Sequence, residues 1–200
     1  MAILRYVMYM DILFYTFFFI LLMWILISIV VWSYKTGISP MPTAPAVNKA
    51  LFANISFLNL TEGKIYELGA GWGTLAFPLA REYPSHKIIG YEISFFPYVY
   101  CLIRQHFSHL RNLQFSRQNF FHPSLKDAAL VVCYLYPGAM RKLKEKFEKE
   151  LKPGSHVISN TFAIPGWTPY DTWIANDLYQ TKIYVYRIPG SMPLKKTLAK

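Results

Sequence analysis

Three glycines, Gly69, Gly71 and Gly73, stand at every second position in the run Ile65-Tyr66-Glu67-Leu68-Gly69-Ala70-Gly71-Trp72-Gly73, between a strand-like stretch and a helical one. Without Cβ atoms such a turn lets the backbone wrap a ligand closely, with amides and a helix N-terminus aimed at it. The spacing is G-x-G-x-G, distinct from the G-x-G-x-x-G of dinucleotide enzymes. Glu67 closes the strand before the turn, where an acid can meet a cationic ligand. Glu92 closes the next strand, 19 residues beyond Gly73, where a carboxylate can accept both hydroxyls of a ribose. A glycine turn alone can be plain structure. Here strand, acid, helix and second acid coincide, and together they predict a nucleoside-type ligand.

The elements that must position these residues follow from the pattern. From Lys64 onward strand and helix signals alternate, which predicts a parallel α/β sheet with short connections. Strands are expected over 64–68, 87–93, 113–117, 128–135 and 156–161. The continuous apolar run 128–135 suits a strand buried on both faces. Helices are expected over 74–82, 97–107 and 138–151. In the last, Met140, Leu143, Phe147 and Leu151 form one stripe, while Lys144 faces Glu148 and Lys146 faces Glu150. Strand pieces near 173–178 and 182–188 read as an antiparallel hairpin that closes the sheet.

The chain has 200 residues, 54% of them hydrophobic and 18% aromatic, and a net charge of +10. Disorder, collagen-like repeats and coiled coil are excluded by this composition. The apolar excess is concentrated in residues 12–34, which hold 23 positions without a charge, 20 of them apolar. A helix of that length measures about 35 Å, against a hydrocarbon core of about 30 Å. Tyr9, Tyr15, Trp32 and Tyr34 lie near its ends, where amphipathic rings prefer the interface. A cleaved signal peptide has a shorter apolar region, about 7–15 residues. The expected organisation is a tail 1–11, a transmembrane helix 12–34, a Pro-rich linker 35–48, a soluble domain 49–190 and a basic tail 191–200 carrying Lys195, Lys196 and Lys200. Asn48 is expected to cap a short helix running to about Leu58. The positive-inside tendency places the soluble domain in the cytoplasm, at a bacterial inner membrane or an organelle membrane. The basic balance fits an anionic membrane surface. Cys101, Cys133 and the histidines lack metal-ligand spacing, so no metal is expected.

The run Glu67-Leu68-Gly69-Ala70-Gly71-Trp72-Gly73 resembles the first motif of class I S-adenosylmethionine-dependent methyltransferases, and the resemblance extends over roughly 51–189. It implies a Rossmann-like α/β sheet, mostly parallel with a terminal antiparallel hairpin, preceded here by the transmembrane helix. It also implies S-adenosyl-L-methionine as cofactor, with Glu67, Gly69, Ala70, Gly71 and Gly73 at its amino-acid moiety and Glu92 and Ile93 at the ribose. Asn119 and Phe120 match the loop that contacts adenine, although many members carry Asp where this chain has Asn119. An amide oxygen can still accept from an exocyclic amine. A narrower resemblance joins the N-terminal span to Gly90-Tyr91-Glu92, Tyr134-Leu135-Tyr136-Pro137, Phe162, Pro165-Gly166-Trp167 and Tyr184-Val185-Tyr186-Arg187. This set is similar to the membrane-anchored protein-lysine methyltransferases of mitochondria, which modify inner-membrane carriers and the ATP synthase ring, and to their prokaryotic relatives.

That resemblance implies lysine of a membrane-associated protein as acceptor. A lipid, quinone or other hydrophobic small molecule, or a scaffold that binds the cofactor without catalysis, are the alternatives. Tyr134, Tyr136 and Trp167 are the expected acceptor-side residues, since aromatic faces attract cations. Asp127 and Asp171 are base candidates by position only. The Asn/Asp-Pro-Pro-aromatic signature of enzymes acting on planar amides or adenine is absent, so no nucleic acid is expected as partner.

Overall fold

The computed structural model describes residues 2–36 and 42–190, in two compact units, Met1–Pro40 and Met41–Lys200. The first is a single helix, α1 (Ala2–Thr36). Among the described residues, Tyr6–Ser28 is long and apolar enough to cross a membrane, 23 residues with mean hydropathy 2.3 and none of it buried. The hydroxyl of Thr16, a polar group in this stretch, donates to the Ile12 carbonyl at 2.7 Å and so needs no outside partner. The expected tail 1–11 is no separate segment, because the helix already runs through it. Residues 37–41 of the expected linker and the whole basic tail 191–200 lie outside the described residues.

The second unit is an α/β layer structure built on seven strands in the order β3-β2-β1-β4-β5-β7-β6. Its elements are α2 (Pro45–Ile55), β1 (Lys64–Leu68), α3 (Ala76–Glu82), β2 (Ile88–Tyr91), α4 (Phe95–Ser108), β3 (Leu113–Ser116), β4 (Ala128–Cys133), α5 (Pro137–Glu150), β5 (His156–Asn160), β6 (Asp171–Ile174) and β7 (Lys182–Arg187). The first five strands pair in parallel and β7 runs antiparallel to both β5 and β6. The order reverses between β1 and β4, and ligands of such sheets sit at the carboxyl ends of the strands beside that reversal.

Side chains alternate across the sheet, as the pleat requires. Ile65, Ile88, Leu130, Val132, Ile158 and Val185 share one core with Leu51 and Ile55 of α2 and Phe77 and Leu79 of α3. On the opposite face α5 buries Ala139, Met140, Leu143 and Phe147. Every residue of β4 is buried, as its unbroken apolar run predicts. Flanking that buried stripe, the half-buried pairs Lys146–Glu150 at 2.7 Å and Lys144–Glu148 at 3.9 Å run along α5.

Two expectations about elements fail. Asn48 does not cap α2, whose N-cap is Ala44 with Pro45 as the first helical residue. Proline at that position loses no hydrogen bond and arrives with helical φ already set. The strand expected near 173–178 forms earlier, at Asp171–Ile174, because 175–181 is taken up by the turn into β7.

Candidate active site

From Leu68 the chain turns through Gly69 (φ 75°), Gly71 (φ 52°) and Gly73 (φ 71°), all left-handed. A residue with a Cβ pays about 1–2 kcal/mol in that region. The turn is fixed from β2. The amides of Gly69 and Ala70 both donate to the Tyr91 carbonyl at 2.9 Å. The Gly71 amide donates to Glu92 Oε2 at 2.7 Å, and the Ser94 amide to Glu92 Oε1 at 2.7 Å. A Cβ added at Gly73 would meet the Phe77 ring at 2.8 Å, whereas one at Gly71 meets nothing within 4 Å. Gly73 is therefore demanded by packing as well as by φ, and Gly71 by its left-handed φ, with open space beside it.

Beneath the turn sits Glu67, 3% exposed, on the sheet face shared with Ile65. Burial and the charge of Glu92 push its carboxyl well above the usual range, against the pull of the Ala76 and Leu75 amides at the start of α3. Its Oε2 has no hydrogen-bond partner. A second buried acceptor without a partner, Asn48 Oδ1, belongs to a residue whose Nδ2 donates to the Thr74 carbonyl at 3.4 Å, just past the turn. Sequence reasoning took Asn48 for a cap and missed this placement. Only the fold brings α2 to Thr74.

Gly90 is the other residue whose part is tertiary. A Cβ there would meet the Phe115 ring at 2.7 Å and Ala70 Cβ at 3.1 Å, so glycine in mid-strand lets Phe115 and Ala70 close under the turn. Next to Glu92, Ile93 is half-buried and its carbonyl accepts from Arg117 Nε at 3.3 Å. Asn119 and Phe120 follow β3 at the same edge. Asn119 Oδ1 accepts from the Phe121 amide at 3.1 Å, and the Phe120 and Phe121 rings lie 4.6 Å apart.

Tyr134 and Tyr136 leave β4, the strand hydrogen-bonded to β1, at this edge and both are half-buried. The Tyr136 ring covers Gly138, where an added Cβ would meet it at 2.6 Å. Trp167 is not brought to that rim. Its Nε1 donates to Glu148 Oε1 at 3.3 Å near the end of α5, and its ring meets Tyr186 at 5.7 Å and Phe147 at 6.3 Å. The physical reason is topological: the chain from β5 must run back past α5 before it begins β6, level with Ile158 in mid-sheet, and Trp167 lies late in that crossing. Asp127 stands at the amino edge, and Asp171 on the outermost strand, level with Ile158 in mid-sheet. Asp127 accepts from Tyr66 Oη at 2.7 Å and pairs with Lys64 at 2.7 Å. Burial alone would raise its carboxyl, but those two partners outweigh burial and hold it below the usual value. Asp171 accepts from Trp173 Nε1 at 2.8 Å. Among the described residues, no three His, Cys, Asp or Glu side chains gather as a metal set.

A parallel sheet of order 3-2-1-4-5-7-6 with a terminal antiparallel strand, and a glycine turn backed by an acid on β2, define a class I methyltransferase. Residues 67–171 match the ANTKMT methyltransferase domain, and the chain belongs to that family. It is 29% identical over 136 residues to a protein-lysine N-methyltransferase of Saccharolobus islandicus (strain REY15A), covering 64% of this chain and 81% of that protein. It is likewise 29% identical over 142 residues to the adenine nucleotide translocase lysine N-methyltransferase of Mus musculus. That match covers 70% of this chain but spans 59% of the mouse protein. Among solved structures, an RNA methyltransferase from Salinibacter ruber in complex with S-adenosyl-L-homocysteine superposes with a TM-score of 0.64 at 24% identity, over 80% of this chain and all of that one. The magnesium protoporphyrin IX methyltransferase of Synechocystis PCC 6803 gives 0.57 at 14% identity, over 72% of this chain and 80% of that one. Acceptors as unlike as RNA and a porphyrin on one fold mean that the sheet itself does not choose the acceptor.

The class implies S-adenosylmethionine as methyl donor, and the residues present fit it. Open space at Gly71, the partnerless Glu67 Oε2 beneath the turn and Glu92 at its side are what a cationic amino acid joined to a ribose requires. Each Glu92 oxygen uses one lone pair on a backbone amide and keeps another for a hydroxyl.

Proposed function

We propose that this chain transfers a methyl group from S-adenosylmethionine to a lysine nitrogen of a membrane-associated protein, working beside a bilayer that α1 spans with the catalytic unit on the cytoplasmic side. The observation that carries the reading is the open Gly71 in a turn tied to Glu92, with Tyr134 and Tyr136 leaving the neighbouring strand at the same edge. The names of the relatives support lysine as acceptor. The length and hydropathy of α1 support the anchor.

When bound, S-adenosylmethionine supplies a methyl group already activated on a positively charged sulfur. The chain's own task is then to align the acceptor and keep the site dry. In this reading Glu92 holds the ribose hydroxyls, and Ile93, Asn119 and Phe120 border the adenine. Glu67 and the turn amides of Gly69, Ala70 and Gly71 surround the amino-acid end, above the Gly73 that lets α3 pack. Tyr134 and Tyr136 receive the lysine, each aromatic face worth about 0.5–2 kcal/mol to a cation. The lysine nitrogen attacks as a free amine, so that the new N–C bond forms as the S–C bond breaks. Its proton leaves to water beforehand, because Asp127 is engaged by Tyr66 and Lys64 at the amino edge and Asp171 by Trp173.

Incubating the full chain with membranes and methyl-labelled S-adenosylmethionine tests the reading. Label on lysine of a membrane protein is the expected outcome. Label confined to the lipid fraction would make the acceptor a lipid or quinone. Cofactor binding in calorimetry with no labelled acceptor would leave a non-catalytic scaffold.

A further inference from the structure

The turn between β6 and β7 carries the two most exposed large hydrophobic side chains among the described residues, Leu178 at 90% and Tyr179 at 84%. They are held out by a built turn. Asp177 accepts from the Thr181 amide at 2.8 Å and the Thr181 hydroxyl at 2.6 Å. Its carbonyl accepts from the Gln180 amide at 3.1 Å, and the Ala175 amide donates to the Thr181 carbonyl at 2.9 Å. Gln180 takes a left-handed φ of 47° to complete the reversal. A fixed turn that leaves a leucine and a tyrosine in water has a cost to recover elsewhere.

The place of this turn is set by the sheet. Asn160, the last residue of β5, pairs with Ile183, and Ile174 pairs with Lys182. The tip therefore stands at the carboxyl edge, where Thr161 donates to the Lys182 carbonyl at 2.9 Å, on the same edge as the glycine turn. The chain enters the second unit at that edge too, since the Thr43 amide donates to Thr74 Oγ1 at 3.4 Å.

We propose that Leu178 and Tyr179 form a finger that enters the interface of an anionic bilayer and sets the active-site edge against the membrane. The proposal rests on the reading of α1 as a membrane anchor. A protruding pair, rather than a concave lining, suits penetration of a fluid surface. Tyrosine prefers the headgroup level, where its ring is buried and its hydroxyl stays wet. The chain's net charge of +10 favours an anionic over a neutral bilayer, and Lys182 stands exposed at the base of the turn. An edge held there would meet lysines just outside the hydrocarbon region.

The test is a nitroxide label on Leu178→Cys in the full chain, reconstituted into vesicles of phosphatidylcholine and phosphatidylglycerol. The native thiols, Cys101 and Cys133, are 0% and 1% exposed and stay unlabelled. A second label on Tyr179→Cys repeats the measurement, and one on Lys152→Cys, exposed beyond the end of α5, serves as the aqueous reference. The expected result is stronger relaxation by dissolved oxygen than by an aqueous nickel chelate at 178 and 179, with the reverse at 152. If the chain floats with the vesicles while 178 and 179 match 152, the finger is overturned and the anchor stands. Failure to float overturns the anchor and the finger with it. Labels that become immobilised only when a protein acceptor is added, and not by lipid, overturn the finger in favour of an acceptor contact.

Discussion

Around β1 and β2 the carboxyl edge is made of backbone and buried acids, while around β4, β5 and β7 it is made of half-buried or exposed side chains. In the first region every part is fixed by another: Gly69 and Ala70 by the Tyr91 carbonyl, Gly71 and Ser94 by Glu92, and Ala70 by the glycine at position 90. In the second, Tyr134 and Tyr136 are half-buried and Leu178 and Tyr179 stand in the open. A donor that never changes can be met by a rigid backbone surface, prepared before binding at no further entropic cost. An acceptor carried by another molecule needs surface left free to receive it. In the proposed reading, the contrast divides the site into a half that binds the donor and a half that selects the acceptor.

The sharpest way to break that contrast is Gly71→Arg. The new side chain fits sterically, since nothing lies within 4 Å of its Cβ, and the left-handed φ costs about 1–2 kcal/mol. Circular dichroism is expected to stay native while S-adenosylmethionine binding disappears from calorimetry. Next in size is Glu92→Ala, which removes the proposed ribose acceptor and leaves the Gly71 and Ser94 amides unpaired. Hydrogen bonds to a charged group are worth about 1.5–3 kcal/mol each, so affinity should fall by about 100-fold or more. On the selecting side, Tyr136→Leu removes the aromatic face offered to the lysine. Losing about 0.5–2 kcal/mol of attraction should lower kcat/KM by about 2- to 30-fold, with cofactor affinity unchanged. A fall in affinity instead would move Tyr136 into the binding half.

Trp167→Phe probes a residue the fold places in neither half. It loses the bond to Glu148 and retains a ring beside Tyr186. Tm should fall by about 2–4 °C, with activity per folded molecule unchanged. The smallest effect concerns Glu67. Folded, its burial and Glu92 raise its carboxyl above the ordinary 4.5. The unfolded chain thus releases this proton first as pH rises, and the cofactor-free protein loses stability above pH 4.5. Glu67→Gln should flatten that decline in thermal melts taken across the mildly acidic range.

Legibility in the sequence followed the same division. The stretch from Ile65 to Gly73 and the acid at 92 were readable because glycine conformation, strand ends and acid placement are local. The strand β1 appears at the expected 64–68. The apolar run at 128 and the stripe on α5 likewise stand where periodicity put them. Trp167 was misplaced because an aromatic after a strand says nothing of how far the following loop travels. Asn48 was misread because a polar residue before an apolar run imitates a cap, while its real partner, Thr74, is 26 residues away. The closing hairpin was legible, but its turn was expected only after 178, because the register that ends β6 at Ile174 is set by pairing with β7.

By itself, then, the sequence determined the alternating α/β order, the glycine turn with its two acids and the apolar N-terminal helix. Each rests on short-range chemistry: periodic burial, backbone freedom without a Cβ, or unbroken hydropathy. The tertiary structure alone decided which side chains share the carboxyl edge, because that depends on strand order and direction. It put Asn48 beside the turn, sent Trp167 across α5 and brought Leu178 and Tyr179 to the edge that also holds the glycine turn.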